Sequence, residues 1–198
     1  MARPRIHDDT LRLRLLELSS AMLATDGPNI FSLRKLAIKA GTSTTAVYSL
    51  FGGKPALLAA VHREAFRRFA EVLASVPTTN DPTVDLYELG MAYRKNAIAN
   101  PHFYAIMFTG PFPGFQPESE VRAEVDATFQ VLKNAVQRCV DAGRVSPDQL
   151  GTVTFGVWGT AHGLVSLELS DMYPPDTDIE LIYRAALMPF FQTIRPMH

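Results

Sequence analysis

The chain has 198 residues, of which 47% are apolar and 10% aromatic, enough for a packed core and too apolar for global disorder. The net charge of −1 points to no nucleic acid by itself, but residues 1–54 hold eight Lys/Arg against four acids, so that end is +4 and the remainder −5. A basic end on an acidic body is the asymmetry expected where one end meets phosphate.

Cys139 is the only cysteine, which excludes an intramolecular disulfide and fits a reducing, cytoplasmic setting. Arg12 and Arg14 interrupt the early apolar stretch, so no secretory signal is expected. The run Gln149 to Leu167 is uncharged but carries hydroxyls, a histidine and four glycines. It reads as a buried or interface helix rather than a membrane span.

The pattern along the chain predicts an all-α protein. Nine helices are expected, near 8–26, 33–40, 44–50, 55–74, 82–98, 101–108, 118–142, 147–170 and 177–194. Pro55, Pro82, Pro101 and Pro147 sit at first-turn positions, where a missing N–H costs nothing. Ser146-Pro147-Asp148-Gln149 and Thr177-Asp178-Ile179-Glu180 match the capping box. Gly27, Gly41 and Gly143 suit left-handed helix ends. Apolar residues step by three and four through Leu58, Val61, Ala65, Phe69 and Val72, and again through Val121, Val125, Phe129, Leu132 and Val136. The stretch Gly110 to Pro117 is a loop that carries Phe112 and Phe115. The division expected is a small domain over 1–54 and a larger helical body over 55–198.

The most specific stretch runs from Phe31 to Lys54. Ser32 is placed to cap a short helix whose Leu33, Leu36, Ala37 and Ala40 share a face. Gly41 ends it, Thr42-Ser43 turns the chain, and Ser43 is placed to cap the next helix. In that second helix Val47 points inward, and Thr44, Thr45, Tyr48 and Ser49 point outward. Two short helices, a turn with glycine and a polar outward face are what a helix-turn-helix requires, although an ordinary helical hairpin shares the pattern. In the DNA reading, the hydroxyls read base edges and the Thr methyls pack on thymine. Arg34 and Lys54 are candidates for phosphate, and Arg3 and Arg5 for a minor-groove arm. A nucleotide-phosphate loop is rejected, because Tyr48 and Pro55 stand where it needs Gly and Ser/Thr.

This segment resembles the signature of TetR-family regulators in Leu36-Ala37, Ala40-Gly41, Ser43, Val47-Tyr48, Phe51, Lys54 and Leu57-Leu58. The resemblance implies that Thr44, Thr45, Tyr48 and Ser49 lie on the recognition helix. It also implies phosphate contacts from Ser32, Tyr48 and Lys54. Two departures stand out. Leu50 replaces a more usual polar or aromatic residue, and Gly53-Lys54-Pro55 replaces Ser-Lys-Glu. Further on, Trp158 to Glu168 is similar to the Trp…His-Gly segment of one TetR C-terminal subclass. That implies a body of the fourth to ninth helices, with the last two forming a four-helix dimer interface.

Gly156, Gly159 and Gly163 fall on one helical face. Each glycine costs about 1 kcal/mol relative to alanine there, so a close contact with another helix or a ligand is expected in compensation. Leu167 on the same helix, and Ile182, Tyr183, Ala186 and Phe190 on the last, complete the expected dimer surface. A homodimer is what one short reading helix needs to cover two half-sites of a near-palindromic operator in double-stranded DNA. Candidate lining for an effector is Tyr93, Phe103, Tyr104, Met107, Phe108, Phe112, Phe115, Phe129, Trp158 and His162, and the same residues also suit an ordinary core. Such a lining favours a small lipophilic or aromatic effector. It would act by favouring a conformation in which the fourth helix tilts and the reading helices no longer match the groove.

His7, His62, His102, His162 and His198 show no metal-ligand spacing, and no cysteine pair exists. No cofactor, metal or enzyme activity is expected. The function expected is a ligand-released repressor. The alternative is a constitutive or activating regulator without an effector.

Overall fold

The computed structural model describes residues 5–108 and 119–190. Among these residues there is no strand. Nine α-helices follow one another: α1 (Arg5–Ile30), α2 (Leu33–Ala40), α3 (Thr44–Phe51), α4 (Lys54–Ala74), α5 (Pro82–Ala99), α6 (Pro101–Phe108), α7 (Ser119–Asp141), α8 (Leu150–Leu169) and α9 (Ile179–Leu187). None of them is long and apolar enough to cross a membrane. The loop of Phe112 and Phe115 lies outside the described residues, as do Arg3 and the side chain of Arg5.

Several helix ends differ from expectation for local reasons. At Gly27 the backbone turns to φ 73°, and Pro28 follows, so a kinked extension carries α1 on to Ile30. Pro147 opens a single 3-10 turn before α8 rather than the α-helix itself. Neither capping box forms. Ser146 donates to the Asp148 carboxylate instead of receiving a backbone N–H. At the other box Asp178, not Thr177, is the cap, and it accepts from the Leu181 amide at 2.9 Å. The shorter carboxylate wins because Thr177 turns back to the Pro174 carbonyl. The last helix stops at Leu187 and tightens into a 3-10 turn over Met188–Phe190. Pro189 lacks the N–H that an α-helix would need there.

The chain divides into two compact units, which do not coincide with a cut after Lys54. Met1–Arg68 and Asn100–Val125 make the first, and Phe69–Ala99 and Asp126–His198 the second. In the first unit α1 packs on α2, α3 and α6. Leu15, Leu16, Met22 and Leu23 of α1 are buried, as are Phe103, Tyr104, Ile106 and Met107 of α6. Arg68 joins three elements of this unit. Its guanidinium lies 4.4 Å from the Phe103 ring centre, and it pairs with Glu17 at 2.6 Å and Glu64 at 2.7 Å. Burial pushes the Glu64 carboxyl up, but hydrogen bonds from Arg67 and Arg68 outweigh it and hold the group below its ordinary value.

The second unit is built around Leu86, Val136, Cys139, Val145, Val153 and Val157, with Leu132, Leu150 and Phe190 packed against them. Burial pushes the Cys139 thiol up to about 11, so this sulfur is a core atom and not a nucleophile. Helix α9 docks on α5 through Tyr183, whose hydroxyl donates to the Gly90 carbonyl at 2.7 Å. A Cβ on Gly90 at that crossing would lie 2.8 Å from Leu187 Cδ1, so the Leu187 side chain would have to shift to admit one. Arg94 ties α5 to α8 through a two-point pair with Glu168, at 2.8 and 2.6 Å. Asp85 takes the Thr79 hydroxyl and amide and the Arg138 guanidinium. Burial alone would raise its carboxyl, but these bonds outweigh it and its pKa is lowered.

Two of these contacts can be tested through stability. Tyr183→Phe deletes one buried hydrogen bond and should cost about 1 kcal/mol in urea unfolding, with the helical signal unchanged. Asp85 has a folded pKa below its unfolded one, so its contribution is present at neutral pH and is lost on acidification. Asp85→Asn should therefore destabilise the protein by about 1.5–3 kcal/mol at pH 7. The gap to wild type should close as the pH drops below about 4. A gap independent of pH would show that the charge of Asp85 is irrelevant.

Candidate nucleic-acid interface

Helices α2 and α3 form the expected pair. Leu36, Ala37 and Ala40 are buried from α2, and Val47 and Phe51 from α3. Gly41 sits at φ 65° and ψ 37°, a left-handed turn in which a side chain is strained, and its amide and that of Thr42 close the end of α2. Ser43 caps α3 by accepting from the Ala46 amide at 3.1 Å. Ser32 stands at the cap of α2 in extended conformation, but its hydroxyl makes no cap bond.

With Val47 and Phe51 fixed inward, Thr44, Thr45, Tyr48 and Ser49 are all exposed. Tyr48 is 55% exposed, unusual for a tyrosine on a helix with an apolar face. Arg34, Lys35 and Lys39 are exposed on α2. Lys54 behaves differently. Its ammonium donates to the carbonyls of Pro28 and Phe31, both at 2.9 Å, and lies 5.7 Å from the Phe31 ring centre. Arg12 was not singled out in the sequence. It stacks 4.7 Å over the Phe51 ring and donates to the Leu50 carbonyl at 3.4 Å. Only its +1 charge marked it beforehand, because α1 gave no sign of facing α3.

The effector candidates fall into separate groups. Phe103, Tyr104, Met107 and Phe108 belong to the first unit, where the first three are buried. The rings of Tyr104 and Phe108 meet at a tilt, with centres 4.8 Å apart. Tyr93, Phe129, Trp158 and His162 come together in the second unit. The Tyr93 hydroxyl is 3.0 Å from His162 Nδ1, His162 and Trp158 lie 6.2 Å apart, and Trp158 meets Phe129 edge-on at 5.7 Å. Burial holds the His162 pKa down, so at neutral pH the ring is uncharged. Phe112 lies outside the described residues.

The expected dimer residues also separate. Gly159, Gly163 and Leu167 are exposed on α8, and a Cβ at either glycine would meet nothing within 4 Å. Ile182 is exposed on α9, and Ala186 is half-buried. One expectation needs correction, and two more residues find a close neighbour within the chain. Tyr183 is completely buried inside the chain, where it faces α5. Phe190 turns its ring inward over Gly156, where a Cβ would lie 2.6 Å from the ring. The close neighbour of Gly156 is therefore this chain's own phenylalanine. Spacing alone placed Tyr183 beside Ile182, but adjacent residues on a helix point about 100° apart. Residues that the spacing missed are Phe155, Leu181, Ala185 and Met188, all exposed. Phe155 was findable, four residues before Gly159 on the same stripe.

Residues 86–188 match the family model for the tetracyclin repressor-like C-terminal domain. The HTH-type transcriptional regulator Rv1816 of Mycobacterium tuberculosis is 23% identical, over 89% of each chain. Among solved structures, the TetR family transcriptional regulator PfmR from Thermus thermophilus has a TM-score of 0.75 at 20% identity. That match covers 92% of this chain and 99% of the other. A TetR family transcription regulator from Marinobacter aquaeolei also has a TM-score of 0.75, at 23% identity, covering 93% and 97% of the two chains. These relatives are transcriptional regulators. The family model spans more than half of the residues, and ahead of it a capped helix pair turns an uncharged polar face outward. On these grounds the chain belongs to the TetR family of DNA-binding transcriptional regulators.

Proposed function

We propose that this regulator is a cytoplasmic homodimer that reads a near-palindromic operator through α3 and leaves it when a small lipophilic or aromatic effector binds. The observation that carries the DNA part is the exposure of Thr44, Thr45, Tyr48 and Ser49 on one short, capped helix. Thr44 and Thr45 stand at its first turn, where a recognition helix meets base edges. Arg34, exposed nearby on α2, supplies charge for the phosphate backbone, and Ser32 a hydroxyl.

Dimerisation is supported by an apolar stripe on the second unit. Thr152, Phe155, Gly159, Gly163 and Leu167 follow one another at steps of three and four on α8 and are all exposed. Leu181, Ile182 and Ala185 are exposed on α9, and Met188 in the turn that follows it. The glycines lower the surface of α8, so a second helix can approach closely and offset their helix cost. Effector binding is supported by the aromatic set of the second unit. Phe129 and Trp158 provide apolar faces, and the neutral His162 beside Tyr93 provides polarity without charge. An effector that binds one conformation better lowers operator affinity by the ratio of its two affinities. The alternative, a regulator without an effector, draws on the fact that the same aromatics also serve as packing.

A duplex selected from a random pool gives the probe. Tyr48→Ala should weaken its binding by about tenfold or more, the scale of one lost base contact, with an unchanged melting curve. Full affinity in the folded variant would remove α3 from the interface. Gly159→Trp should shift the sedimentation profile from dimer toward monomer. The protomer should keep its helical signal, because open space surrounds Gly159 within the chain. An unchanged dimer would place the interface elsewhere.

A further inference from the structure

We propose that Arg12 and Lys54 serve DNA binding as positioning residues, which fix the pose of the recognition helix, and not as contacts to phosphate. The inference rests on the reading of α3 given above.

The need for such residues comes from how α3 is attached. It has eight residues, too few to persist unaided. Its exit runs through Gly52 at φ 81° and Gly53 at φ 152°, two glycines with wide conformational freedom. Such a link holds no angle by itself. Something else must set how α3 leaves the rest of the unit.

Lys54 stands just after that link, as the first residue of α4. A cation is unfavourable at the N-terminal, positive end of a helix dipole. Its head reaches instead to the carbonyls of Pro28, in the last turn of α1, and Phe31, in the link to α2. The final carbonyls of a helix lack partners within it and carry partial negative charge, so a cation is well placed there. Two of the three ammonium hydrogens are thereby engaged, and the ring of Phe31, itself buried, borders the charge. A phosphate would have to compete with both carbonyls for the head. The effect of Lys54 is to pin the end of the glycine link to the α1–α2 junction.

Arg12 does the same for the body of α3. Its plane lies on Phe51, the buried last residue of the helix, and one nitrogen donates to Leu50, among its unpartnered final carbonyls. A flat cation can stack and donate at once, which an ammonium cannot. Ser43 caps the start of α3 from within its own segment, and Arg12 ties the end of the helix to α1.

A phosphate contact and a positioning contact differ in salt dependence. Losing one phosphate contact lowers the slope of log affinity against log salt by about 0.9, and by about twice that in a dimer. Losing a positioning contact weakens binding at every salt concentration and leaves the slope alone. Binding of the selected duplex should be measured across a potassium chloride series for Arg12→Gln, Lys54→Met and Phe51→Leu. All three should bind about tenfold or more weakly, each with the wild-type slope. Phe51→Leu removes the platform beneath Arg12 without touching a charge. A slope that falls with either charge variant, or an affinity that does not change, overturns the proposal. If Lys54→Met does not fold, the wild-type protein answers. The Lys54 ammonium resonance should stay at its free-protein position when the duplex is added, and its displacement overturns the assignment. Full affinity in Tyr48→Ala would instead sink the recognition-helix reading, so the two failures are distinct.

Discussion

An eight-residue helix in water is mostly unfolded, because the cost of starting a helix is not recovered over two turns. Helix α3, proposed here to read DNA, is of that length, and it carries only two buried side chains, Val47 and Phe51. Everything about its use depends on what surrounds it. Ser43 satisfies one donor at its start, Gly52 and Arg12 satisfy acceptors at its end, and α1 and α2 cover its apolar side. The polar residues that remain outside are then displayed at fixed angles. A side chain can discriminate between bases only if its position is fixed to within a hydrogen bond's tolerance.

The first unit therefore contains two kinds of cation. Arg34, Lys35 and Lys39 are exposed and offer charge outward. Arg12, Lys54 and Arg68 are turned inward, onto carbonyls, carboxylates and aromatic rings. A count of positive charge along the sequence treats these alike, yet only the outward kind is offered to a polyanion. The positive charge of the N-terminal end divides between side chains open to solvent and side chains that close helix ends.

The second unit solves a different problem, that of holding α8 and α9 with an apolar side outward. Tyr183 and Leu187 anchor α9 on α5, Phe190 fills the notch over Gly156, and Arg94 fastens Glu168. These contacts use up the inward faces and leave Phe155, Leu167, Ile182 and Met188 exposed. A helix pair fastened this firmly from behind can present apolar side chains without rearranging to bury them.

Much of this was legible in the sequence. Helix number, the helix-turn-helix and the outward set Thr44, Thr45, Tyr48 and Ser49 follow from local rules, in which a period of 3.6, a glycine and a serine each act within a few residues. The TetR resemblance drew on that same short stretch and on Trp158 to Glu168. Contacts between distant residues were not legible. Arg12 meeting Leu50, Lys54 meeting Pro28 and Tyr183 meeting Gly90 span 38, 26 and 93 residues. No periodicity within one helix says which neighbour its faces will find. For the same reason the sequence grouped Tyr183 with Ile182 and placed Gly156 with Gly159. Only packing decided that the first of each pair turns inward. Local chemistry determined which elements form and which side chains they carry. The tertiary structure decided which charges and which apolar faces remain for another molecule, because availability is what is left after the protein has satisfied itself.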